Sequence, residues 1–172
     1  MLEDQDRLLS ALGQELLRRG LRCATAESCT GGMIGAMLTA VPGSSAWYAG
    51  GIVSYANDVK ERLLGVSRSD LESCGAVSAP VVRQMALGAC SAAGADAAMA
   101  VSGVAGPGGG TEEKLVGTVW IGWALQGDVH ACVFHFPGGR GDIRRQAARR
   151  AIEGLLGMLL RSTGDGKGDV RS

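Results

Sequence analysis

Neither sign of charge is in excess in this chain of 172 residues. Its 17 Lys and Arg balance 17 Asp and Glu, so a general electrostatic pull on nucleic acid or on an anionic membrane is not expected. No apolar run approaches the roughly 20 residues that a membrane span requires. The opening Met1-Leu2-Glu3-Asp4-Gln5-Asp6 is acidic where a secretory leader is basic and then apolar. These absences predict a soluble, cytoplasmic protein with no nucleic-acid or membrane partner. Cysteines at Cys-x-x-Cys spacing are also lacking. The five present, Cys23, Cys29, Cys74, Cys90 and Cys132, are odd in number and scattered, which argues against a disulfide framework or zinc ribbon and for reduced thiols. Histidine is scarce: only His130 and His135 occur. Five apart on one predicted strand, they face opposite ways and cannot act as a pair or a two-histidine metal site.

What the chain does have is hydrophobic residue, 46%, and glycine, 28 of 172. The first makes it a folded chain of about one domain, and the second is about twice the usual share. The glycines cluster at Gly31-Gly32, Gly50-Gly51, Gly106 to Gly110 and Gly138-Gly139-Gly141, beside apolar segments. They mark tight loops at element ends, where backbone can approach a ligand.

Leu8, Leu9, Leu12, Leu16 and Leu17 have the spacing of one helix face, and Gly20 is a stop signal. Further helices are expected over 31–41, ended by Pro42-Gly43, over 58–64 with Asn57 as cap and Gly65 as stop, over 79–93 with Pro80 in the first turn, and over 142–160. Strands are expected over 21–26, 51–55, 97–101, 117–125 and 129–136, the last two joined through Gln126-Gly127-Asp128 as a hairpin. This alternation predicts an α/β fold, a three-layer α/β/α sandwich on a mixed sheet. The polar, glycine-rich segment 162–172 reads as a disordered tail.

Three segments carry possible chemistry. Thr25-Ala26-Glu27-Ser28-Cys29-Thr30-Gly31-Gly32 joins a strand to a helix, so Ser28 or Cys29 would stand where unpaired amides stabilise negative charge, a setting for a nucleophile beside an oxyanion site. The plainer alternative is that Ser28 or Thr30 caps the helix. With no histidine pair, a base must come from elsewhere. Lys60, in the first turn of its helix, has the wrong sign for the helix dipole, which lowers its pKa; a lysine brought toward neutrality can serve as base, with Tyr55 relaying a proton. The plainer alternative is a solvated surface lysine.

The loop from Ser102 to Thr111 follows a strand and could bring backbone amides to a phosphate or sugar. It satisfies neither the P-loop nor the dinucleotide fingerprint. From Arg140 to Arg161 six arginines meet only Asp142 and Glu153, and those at the helix start invite an anion. A solvated basic face is the alternative for Arg149 and Arg150.

Taken together, TAESCTGG (25–32), PGSS (42–45), VSYANDVK (53–60), GAVS (75–78), SGVAGP (102–107), GTVW (117–120) and 140–145 resemble, in order and across about residues 5–160, the CinA C-terminal family of nicotinamide mononucleotide amidases. Gly108 and Leu115 depart from its usual pattern. The resemblance implies a compact α/β/α amidase domain over 1–161. Its implied activity is conversion of nicotinamide mononucleotide to nicotinate mononucleotide and ammonia in pyridine-nucleotide salvage. It maps the nucleophile onto Ser28, the base onto Lys60 and a proton relay onto Tyr55, without cofactor or metal. Substrate-binding positions fall on Thr30, Gly31, Gly32, Ser45, Ser102, Gly103, Ala105, Gly106, Arg140 and Arg144. A homo-oligomer is expected. The competing expectation is a non-catalytic nucleotide-binding or regulatory module linked to competence or DNA damage, which would need no Ser-Tyr-Lys chemistry.

Overall fold

The computed structural model describes residues 2–162; the expected tail from 163 onward lies outside them. Along the chain the elements are α1 (Leu2–Arg19), β1 (Cys23–Glu27), α2 (Met33–Thr39), a 3-10 turn (Ser44–Ala46), β2 (Tyr48–Val53), α3 (Asn57–Leu64), α4 (Arg68–Cys74), α5 (Ala79–Ala93), β3 (Ala97–Gly103), β4 (Thr118–Leu125), β5 (Asp128–His135) and α6 (Arg140–Arg161). The sheet order is β2-β1-β3-β4-β5. β1 runs parallel to both its neighbours, whereas β4 and β5 are antiparallel. The sheet is therefore mixed, as expected.

Strand periodicity sorts the core into two unlike layers. Cys23, Ala97, Met99, Val101, Val119, Ile121 and Trp123 face one way and pack with leucines of α1 and the apolar side of α6. Ala24, Ala26, Ala98, Ala100 and Ala124 face the other way and pack on Val81, Val82, Met85, Ala86 and Ala89 of α5. The alanine face lets α5 lie close to the sheet. A Cβ on Gly122 would overlap the Val82 carbonyl, and one on Gly88 would overlap the Leu64 carbonyl where α3 ends.

The chain leaves β1 through α2 for β2 on one side, then returns through α3, α4 and α5 to β3 on the other. β1 is thus the point where the winding reverses, and the crevice beyond the carboxyl ends of β1 and β3 is where open α/β sheets place their chemistry. Ser28 and Ser102 stand there.

Several expected boundaries shift. The second strand is Tyr48–Val53 rather than 51–55, leaving Tyr55 beyond its end, and α2 is shorter than 31–41 because Gly31 and Gly32 are left-handed, φ 61° and 93°. Asn57 does not cap α3. Ala56 is the extended flanking residue whose carbonyl accepts the Lys60 amide at 3.2 Å, so Asn57 is the first helical position. Helix α4 was not expected; it starts at Ser67, whose hydroxyl accepts from the Asp70 amide at 3.4 Å. In the β4–β5 turn Gln126 and Gly127 are both left-handed, φ 50° and 97°, which suits the twist of a two-residue hairpin.

Gly88→Ala should reverse the usual benefit of alanine in a helix. The overlap with the Leu64 carbonyl should cost about 2 kcal/mol net, a fall in Tm of roughly 4–8 °C by thermal circular dichroism. An unchanged or raised Tm would mean that α3 is free to give way.

Candidate active site

Ser28 is the first residue beyond β1, its amide donating to the Val101 carbonyl at 2.9 Å. It does not cap α2, nor does Thr30. The N-cap is Gly32, without a side-chain cap of its own. The carboxylate of Glu27 takes that role from upstream, accepting from the amides of Gly32, Ile34 and Gly35 at 3.0, 3.1 and 2.9 Å. Ser28 is left half-buried with its hydroxyl beside Lys60.

Lys60 is 1% exposed. Its Nζ donates to the carbonyls of Ser54 at 2.7 Å and Tyr55 at 3.2 Å, and to Ser28 Oγ at 3.3 Å. No ion pair among the described residues includes it. Burial without a carboxylate disfavours the ammonium, and desolvation holds its pKa below the ordinary lysine value. The downward shift expected for Lys60 is present, and its largest cause is burial.

Cys29 is buried, and loss of solvation pushes its thiol up to about 11. A thiol that is protonated at neutral pH is a poor nucleophile. Its environment gives the Cys29 thiol no activation.

Tyr55 is 63% exposed and presents its hydroxyl to Arg140 Nη2 at 3.3 Å. The same guanidinium donates to the Gly106 carbonyl at 2.6 Å, joining the glycine-rich loop to the Tyr55 segment. Arg144 donates to the carbonyls of Cys29 at 3.1 Å and Thr30 at 2.8 Å. Both arginines thus brace the loops around Ser28. Three other arginines of the basic cluster are paired locally. Arg145 pairs with Asp142, Arg149 with Asp4 and Glu153, and Arg150 with Glu153 while lying over the Phe134 ring.

Thr30, Ser102, Ala105 and Gly106 are buried around this end of the sheet, with Gly103 next to Ser102. Thr30 Oγ1 and Ser54 Oγ are buried without a hydrogen-bond partner among the described residues. The Gly31 amide is occupied by the Ser28 carbonyl at 3.1 Å. Ser45 is not brought to this end. It is exposed in the 3-10 turn before β2, and because β2 runs parallel to β1, it lies a strand length away from Ser28. A groove of about 480 Å³ between β5 and α6, lined by Trp123, His130, Phe134 and Arg150, contains neither Ser28 nor Lys60; side-chain geometry, not concavity, locates this site. Among the described residues no cluster of His, Cys, Asp or Glu could hold a metal, and no helix is long and apolar enough to cross a membrane.

A serine hydroxyl in contact with a buried, carboxylate-free lysine can support acyl transfer. Comparison with known proteins agrees with the motif reading: the sequence model of the CinA C-terminal domain matches residues 5–159. The chain belongs to the CinA C-terminal domain family. It is 46% identical over 157 residues to the nicotinamide-nucleotide amidohydrolase PncC of Escherichia coli (strain K12), covering 91% of this chain and 95% of that protein. A CinA-like protein of Gemmatimonas aurantiaca is 46% identical over 163 residues, 95% of this chain but 38% of its own length, so this chain spans well under half of that relative. Among solved structures, the competence/damage inducible protein CihA from Agrobacterium tumefaciens superimposes with a TM-score of 0.87 at 41% identity, covering 90% of this chain and 95% of that one. The CinA fold and the α/β/α layering expected from sequence therefore coincide.

The thiol environment makes a direct test. On brief treatment of the native protein with iodoacetamide near neutral pH, exposed Cys132 should be alkylated and Cys29 spared, as read by peptide mass mapping. Fast modification of Cys29 would reinstate it as a nucleophile.

Proposed function

We propose that this chain is an amidohydrolase that converts nicotinamide mononucleotide to nicotinate mononucleotide and ammonia, with Ser28 as nucleophile and Lys60 as its base. The observation that carries the mechanism is the Lys60 Nζ to Ser28 Oγ contact of 3.3 Å, made by a lysine 1% exposed. The PncC relatives, named as nicotinamide-nucleotide amidohydrolases at 46–48% identity, support the substrate.

In the working state Lys60 is neutral and its lone pair accepts the Ser28 proton as Oγ attacks the carboxamide carbon. The resulting oxyanion is held by backbone donors beyond β1. Of the amides near Thr30, Gly31 and Ser102, that of Thr30 makes no hydrogen bond among the described residues and is the free donor, whereas the Gly31 amide already serves the Ser28 carbonyl. Collapse breaks the C–N bond, and ammonia departs with the proton returned by Lys60, assisted by Tyr55. Water then attacks the acyl-enzyme, giving the carboxylic acid and restoring Ser28. The Ser102 to Gly110 loop and Arg140 and Arg144 border the place for the ribose phosphate. The same reading makes 1–161 one domain of a cytoplasmic homo-oligomer that needs no cofactor and binds neither nucleic acid nor membrane. A purely binding module has no use for a desolvated lysine against a serine.

Ammonia release from nicotinamide mononucleotide by the purified protein tests the activity. Ser28→Ala should abolish it, while Cys29→Ala should leave it within a few-fold of wild type. Lys60→Arg keeps the charge but not a removable proton, so kcat should fall on the order of 100-fold or more. The active form is the neutral amine, so the wild-type rate should climb as the proton leaves, with an apparent pKa below the roughly 10.4 of free lysine. A fully active Lys60→Arg enzyme with an unshifted pH profile would remove the lysine from its role as base. EDTA should not inhibit; a loss of activity restored by a divalent ion would overturn the metal-free mechanism.

A further inference from the structure

Glu27 is 1% exposed and stands immediately before Ser28. Oε2 accepts from the amides of Gly32 and Ile34, and Oε1 from the amide of Gly35. A helix start leaves four amides without partners, and a short cap such as Ser or Asp satisfies only one or two of them. Here one carboxylate reaches forward over the turn 28–32 and closes it into a ring, with main chain on one side and the Glu27 side chain on the other. Ser28 lies inside that ring. The main-chain carbonyl of Glu27 meanwhile accepts from the Ser54 amide at 2.8 Å, and the Ser54 carbonyl in turn accepts from Lys60 Nζ at 2.7 Å. One residue therefore fixes the serine through its side chain and the lysine's cradle through its backbone.

We infer that Glu27 is the positioning residue of the Ser28–Lys60 pair, holding the hydroxyl in register with the amine without itself touching substrate. The inference rests on the proposed role of Ser28. Its chemistry requires a carboxylate. Three N–H donors converge on two oxygens, and an ionised carboxylate is acceptor-only, with sites for all three. Glutamine has the same shape but offers one oxygen. Turned toward Gly32 and Ile34, it sets its NH2 against the Gly35 amide; turned the other way, it opposes two amides. Aspartate keeps the charge but is one methylene short of the span.

Glu27→Gln and Glu27→Asp test this in the full chain. Because a displacement of about 1 Å at reacting atoms can cost on the order of 100-fold, kcat should fall between roughly 10-fold and 100-fold in Glu27→Gln, with KM within about threefold of wild type. Phosphonylation of Ser28 by a fluorophosphonate, measured under the same conditions, should slow by a factor similar to kcat. Far-ultraviolet circular dichroism should match the wild type. A merely structural carboxylate would lower Tm but leave kcat and labelling rate per folded molecule unchanged. Either variant, if folded, decides the matter. A kcat within twofold of wild type, or a loss carried equally by KM, overturns the assignment, as does failure of both to fold, which would make the carboxylate a requirement of the whole domain. Activity surviving in Ser28→Ala would instead overturn the functional reading itself.

Discussion

A lysine amine with almost no access to water, held by two carbonyls and a serine hydroxyl, is the constraint around which this end of the molecule is arranged. Burying an ammonium is costly unless it is paired, and Lys60 has no carboxylate partner among the described residues. The carbonyls of Ser54 and Tyr55 offset part of that cost. The remainder favours the neutral amine that can take a proton. Replacing the carbonyl pair by a carboxylate would hold Lys60 more firmly and leave it charged. Local stability is given up where the amine is held neutral and unpaired, a pattern that clusters at functional sites.

That amine can be placed only because the surrounding backbone has little freedom. β2 ends at Val53, the chain turns through Ser54 and Tyr55, and α3 begins at Asn57 with Lys60 facing inward. α5 closes over this side through Val81, Val82 and Met85, which rest on the alanine face of the sheet. On the opposite face α6 delivers Arg140 and Arg144 to the carbonyls of Gly106, Cys29 and Thr30. The loops that flank Ser28 are thus anchored from both layers. The arginines form part of the frame.

Much of this was legible in the residues themselves, for identifiable reasons. Ser28 and Lys60, which the structure brings to 3.3 Å of each other, were singled out because each sits next to a sharp local signal: a strand-to-helix turn rich in glycine, and a short helix with a cation near its start. The alternating layers followed from periodicity. Helix α4 escaped because its seven residues have only one buried apolar position, Leu71, too few to show a period; the Ser67-x-x-Asp70 spacing was the available signal. Glu27 escaped because it acts on amides five to eight residues ahead, beyond the reach of local capping rules. Its acidity at a helix entrance was the hint. Arg140 and Arg144 were expected to face an anion, and the tertiary structure shows them donating to the carbonyls of Gly106, Cys29 and Thr30 and, from Arg140, to the Tyr55 hydroxyl. Ser45 was drawn in by its motif, and the parallel direction of β2 sends it to the other end.

The two-residue turn Gln126-Gly127 lies at that other end too. β4 runs against β3, with Leu125 opposite Ala97, so the turn lies a full strand length from Ser28. Ser162, where α6 finishes after crossing the sheet in the reverse direction, is close to Arg19 on the same side. A dye, an affinity handle or a solid support joined at the turn would therefore leave the crevice turned outward and unobstructed. For immobilisation, the molecule has a distinct back.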